Sequence, residues 1–68
     1  MDNRAMATFN VYVQARDKAG YTDYAVAKKA GIRQSSISDW KHGRYTPKAD
    51  KLYKIAEILE IPFDMFMR

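Results

Sequence analysis

Four stretches of this chain repeat apolar side chains at three- and four-residue steps, and nowhere do apolar and polar residues alternate cleanly for long. The pattern therefore predicts helices and no strand. The first helix spans about Ala7 to Ala19, with Phe9, Tyr12, Ala15, Arg16 and Ala19 at helical intervals on one face and Gly20 after its end. The second runs from Asp23 to Ala30: Thr22 suits an N-cap because its hydroxyl accepts a free backbone N–H, and Asp23 puts a negative charge in the first turn. Gly31 supplies the left-handed residue that a tight turn after this helix needs. A third helix then covers Gln34 to Lys41, with Ile37 and Trp40 three apart on its inner stripe, Ile32 anchoring the turn before it, and His42-Gly43 ending it. Arg44-Tyr45-Thr46 reads as a loop, and Thr46-Pro47 as the opening of a fourth helix, since proline is tolerated at a first helical position. Leu52, Ile55, Ala56 and Leu59 give that helix a core stripe, with Lys51, Lys54, Glu57 and Glu60 on other faces. Pro62 stops it, and a short last turn follows from about Phe63 to Met67. Met1 to Ala5 shows no periodicity, so residues 1–6 are expected to be a disordered N-terminal segment and 7–68 a single domain.

Composition narrows the class. A chain of 68 residues buries only roughly 60% of its unfolded surface, yet 47% hydrophobic and 13% aromatic residues are enough for a core. There is no cysteine and a single histidine, so neither a disulfide, a zinc site nor any other metal or cofactor is expected. Ser35-Ser36 has no base beside it, and no nucleophile–base–orienter set can be assembled, which argues against an enzyme. No apolar run approaches the ~18 residues of a membrane span, and MDNRAMATFN has no apolar secretion core. A cytoplasmic setting is the default expectation. The formal charge of +4, from 12 basic and 8 acidic residues, suits an anionic partner.

If Ile37 and Trp40 face inward, Gln34, Ser35, Ser38, Asp39 and His42 face outward. That stripe lacks large apolar groups and is rich in short hydrogen-bonding side chains, the shape required to read base edges in a major groove. Gln34 can pair with adenine at two atoms, and Ser35 and Ser38 can donate or accept; Asp39 either accepts from a cytosine amino group or repels wrong sequences. Arg33, Ser36, Lys41, His42, Arg44 and Tyr45 bracket the helix and are candidate phosphate contacts. The competing reading of each is a solvated surface residue. Trp40 is expected in the core rather than stacked on a base, and Tyr12, Tyr21 and Tyr24 are expected to pack.

Tyr21-Thr22, Val26-Ala27, Gly31-Ile32, Ser35-Ser36-Ile37-Ser38 and Gly43, with Thr46-Pro47 and Leu52 to Phe66 downstream and Tyr12 to Gly20 upstream, resemble the Cro and phage-repressor helix-turn-helix family. The resemblance implies a lambda-repressor-like fold: an all-α, compact bundle of about five short helices that binds double-stranded operator DNA, usually as a homodimer. Phe63, Phe66 and Met67 are then candidates for the dimer face or, for Phe66 above all, the core. Three positions depart from the family pattern. Asp23 stands where relatives place a glutamine that touches a phosphate. Lys41 stands where they often place a glutamate tied to an arginine on the first helix, here Arg16, so that Asp17 or Asp39 would have to neutralise one of the two cations. Glu60 stands where they commonly place glycine, and a left-handed ending there would strain it. The function this points to is a sequence-specific transcriptional regulator, a repressor on an inverted-repeat operator. The alternative is a protein-interaction module of the same shape, an antitoxin or anti-repressor component. No small-molecule ligand is evident.

Overall fold

The computed structural model describes residues 3–67. Among them are four α-helices, α1 (Asn3–Ala19), α2 (Asp23–Ala30), α3 (Gln34–Lys41) and α4 (Ala49–Leu59), then a 3-10 turn, Phe63–Met67. The described residues contain no strand.

α2 and α3 begin and end where the sequence signals put them. The Thr22 side chain accepts the Ala25 N–H at 3.1 Å, and Gly31 takes the left-handed conformation at φ 72°. The N–H groups of Gly31 and Ile32 both reach back to the Ala27 carbonyl, which closes α2 and turns the chain into α3.

The first helix is longer than its hydrophobic pattern shows. It starts at Asn3, inside the stretch 1–6 that shows no periodicity; Met1 and Asp2 lie outside the described residues. Its inward face there is Ala5 and Thr8, both buried. One is too small and the other too polar to register as a hydrophobic stripe. Ala19, expected on that face, is exposed.

The core is built on Trp40, which has no exposed surface. Its ring centroid lies 4.9 Å from Tyr12, 5.4 Å from Phe9 and 6.3 Å from Phe66, the Phe9 contact being edge-on. The indole N–H donates to Thr8 Oγ1 at 2.9 Å, and the Thr8 hydroxyl donates in turn to the Arg4 carbonyl at 2.7 Å. Among the described residues no buried side-chain nitrogen or oxygen lacks a hydrogen-bond partner. Ile37, Leu52, Ile55 and Leu59 complete the interior, and α3 is pinned between α1 and α2.

α4 begins later than a proline at its first position would require. Lys48 is the N-cap, in extended conformation, and Pro47 is buried one residue before it. Pro47 at N′ and Leu52 at the fourth helical position occupy the places of a hydrophobic staple, and both are buried. The far end of α4 is left-handed at Glu60 (φ 58°), whose N–H bonds Ala56 and Glu57 carbonyls. A side chain in this conformation is strained by its Cβ. Glu60→Gly is expected to stabilise the domain by about 1 kcal/mol and to raise its melting temperature by about 4–8 °C in a thermal melt. A lower melting temperature would show that the Glu60 side chain makes a compensating contribution.

Candidate nucleic-acid interface

α3 shows solvent the face its sequence suggested. Ile37 and Trp40 are buried, Gln34, Ser35, Ser38 and His42 are exposed, and Asp39 is half-buried at the edge of the same face. The helix begins on Arg33, whose exposed side chain makes no capping bond; the Ser36 N–H bonds the Arg33 carbonyl at 3.0 Å, and the Gln34 and Ser35 amides have no side-chain cap. Lys41 and Arg44 are exposed, while Ser36 is half-buried and Tyr45 packs against the core. His42 Nδ1 lies 2.8 Å from the Ser38 carbonyl, and the His42 N–H also reaches that carbonyl.

Asp39 and Arg44 are a pair. Arg44 Nε sits 3.4 Å from Asp39 Oδ1, and the Arg44 N–H donates to the Asp39 carbonyl at 2.9 Å. The two contacts hold the guanidinium against the C-terminal end of α3. With side chains 50% and 65% exposed, the ion pair contributes little stability of its own.

The charges of Arg16 and Lys41 are settled by a residue that the sequence reading had not linked to them. Arg16 Nη1 donates to Asp23 Oδ1 and Nη2 to Asp17 Oδ1, both at 2.8 Å. The Tyr12 hydroxyl makes a short hydrogen bond to the same Asp23 oxygen. Of the two neutralising candidates, Asp17 serves Arg16 and Asp39 does not. Tyr12 and Arg16, four apart on one face of α1, were the signal that this face offers two donors to whatever packs beside it. Tyr24, expected to pack, is instead exposed, with Lys28 Nζ 6.0 Å from its ring centroid. Tyr21 is half-buried.

Asp23, Gln34, Ser38, Lys41 and His42 surround a shallow cleft of ≈ 200 Å³ over Ile37. Burial pushes the Asp23 carboxyl up, but the bonds from Tyr12 and Arg16 and the charges of Arg16 and Lys41 outweigh it, leaving the carboxyl below the usual carboxylate value. Burial first, then the Asp23 carboxylate, raise the Tyr12 phenol above its ordinary 10. The carboxyl is the depressed case: it contributes stability that is present above its unfolded value of 3.8 and is lost as pH falls through the lower folded value. The phenol is the raised case: its contribution is complete below pH 10 and declines above it. Urea midpoints of Asp23→Asn should therefore fall less steeply than those of the parent as pH drops below about 4. Parallel profiles would show that Asp23 is not tied to the fold by its charge.

Among the described residues no group of histidine and carboxylate side chains could hold a metal ion, and no helix is long and apolar enough to cross a membrane. A family model described as helix-turn-helix matches residues 14–66. No curated protein and no solved structure matches the chain.

Proposed function

The chain belongs to the Cro/C1-type helix-turn-helix family, a DNA-binding regulator fold, and we propose from that premise that it is a sequence-specific repressor acting on an inverted-repeat operator in the cytoplasm. The observation that carries the proposal is the exposed polar face of α3, held rigidly by the burial of Ile37 and Trp40 behind it. In this reading Gln34, Ser35, Ser38 and Asp39 meet base edges in the major groove. Asp39 keeps Arg44 aimed along the groove wall, and Arg33, Ser36, Lys41, His42, Arg44 and Tyr45 are assigned to phosphates, Ser36 and Tyr45 with only part of their surface free.

One such domain covers roughly 600–1,000 Å² of protein surface on DNA, which favours two copies on half-sites about one helical turn apart. Phe66 belongs to the core, so the self-association contact is assigned to Phe63, the exposed Met67 and the exposed Tyr53, whose ring centroid lies 5.7 Å from that of Phe63. Titration of an inverted-repeat duplex, recovered by in-vitro selection, against a scrambled one at fixed salt tests the reading. The expected result is tighter binding of the selected duplex. Arg44→Ala should weaken both duplexes alike and flatten the salt slope by about one unit. Equal affinity of the parent for the two duplexes would refute sequence-specific binding.

A second reading, a protein-interaction module, is favoured by a groove of ≈ 700 Å³ between α1, the α3–α4 loop and the 3-10 turn. Leu52 and Phe66 line it with Arg4, Arg44 and Lys48, and none of the described residues lining it is acidic. Failure to bind any duplex at low salt would turn attention to that groove.

A further inference from the structure

The side of the proposed interface nearest α1 carries a carboxylate. Asp23 is the first residue of α2, and its side chain keeps 36% of its surface exposed. Its hydrogen bonds from the described residues both land on Oδ1, from the Tyr12 hydroxyl and Arg16 Nη1, and none of those residues donates to Oδ2. It shares its cleft with Gln34, Ser38, Lys41 and His42, all assigned to DNA above.

The first helix of a helix-turn-helix crosses the DNA backbone, and a helix N-terminus attracts phosphate through its free amides and the positive end of its dipole. In this chain a fixed negative charge stands at that end. Arg16, the cation beside it, is committed to two carboxylates, Asp17 and Asp23, and its side chain is only 21% exposed. Arg16 and Lys41 against Asp17 and Asp23 leave this end of the interface with no net charge. The opposite end presents Arg44 and Lys48.

We propose that Asp23 is an electrostatic brake on DNA binding: it opposes a backbone phosphate at the start of α2 and keeps Arg16 from reaching one. The proposal rests on the duplex-binding reading above. Phosphates are the same in every sequence, so the brake lowers affinity for all duplexes by the same factor and leaves sequence preference to α3.

The test is an anisotropy titration of the parent, Asp23→Asn and Asp17→Asn against the selected and scrambled duplexes, between about 50 and 200 mM salt. Asp23→Asn should tighten both by a similar factor, roughly three- to tenfold at the lowest salt, and steepen the salt slope by about one unit. Asp17→Asn removes the same charge and one of the two partners of Arg16 but leaves Asp23 and its bond to Arg16 in place, and should gain clearly less. Unchanged or weaker binding by a folded Asp23→Asn overturns the proposal. So does an equal gain from Asp17→Asn, which would make net charge or the release of Arg16, and not the place of Asp23, the cause, or a gain confined to the selected duplex, which would make Asp23 a base reader. If Asp23→Asn loses its helical melt, Asp23→Gln decides by the same criteria. If the parent does not distinguish the two duplexes, sequence-specific reading fails while the slope on either duplex still decides the brake. If the parent binds neither, both fall.

Discussion

Replacing Trp40 with alanine is expected to leave the chain largely unfolded at room temperature. Such a truncation in a core costs about 3–5 kcal/mol. A domain of this length has roughly 3–10 kcal/mol to lose. The indole is in ring contact with Phe9, Tyr12 and Phe66 and donates to the buried Thr8 hydroxyl, so its removal empties the centre of the molecule and takes away that bond, leaving Thr8 only its own bond to the Arg4 carbonyl. Trp40→Phe keeps most of the ring packing and loses the N–H donor, and should fall between the two. Far-UV circular dichroism with urea titration measures this. An alanine variant that melts within a few degrees of the parent would mean that α3 is not held by its inner face.

The second large effect concerns binding. Gln34→Ala should weaken the selected duplex by about 1–3 kcal/mol, roughly five- to 150-fold, and leave the scrambled duplex nearly unchanged. Gln34 opens α3 and is exposed, so truncation there should leave the melting temperature close to that of the parent. A repeated selection with the variant should show one base position per half-site relaxed. Equal losses on both duplexes would assign Gln34 to the backbone instead.

The parts of the molecule that were legible in the chain are those whose cause is local. Thr22, Gly31 and the Ile37–Trp40 pair each act within one helical turn, and α2 and α3 begin and end where those residues put them. What was hidden depends on partners far away in the chain. Thr8 faces inward because Trp40, 32 residues later, needs an acceptor, and Ala5 is buried on the turn before it; nothing near Asn3 announces that. Pro47 fits a first helical turn by local rules, but its ring is buried before the helix starts. The partner of Arg16 could not be chosen by spacing along one helix, because Asp23 sits on the next helix and meets Arg16 only when α1 and α2 are packed. The outward face of α3 was legible because helical geometry alone fixes it once Trp40 is inside. The Asp39–Arg44 pair was not, since it depends on how the chain turns at Gly43.

The most direct test follows the backbone amides of the labelled protein by NMR while the selected duplex is added. The largest shift changes should fall at Gln34, Ser35 and Ser38 and at Arg33 and Arg44 on either side, with smaller changes at Tyr53 and Phe63, where the two copies are assigned to meet. Shifts concentrated on α4 or along the Arg4–Lys48 groove, with Gln34 to Ser38 unmoved, would contradict the claim that the polar face of α3 enters the DNA.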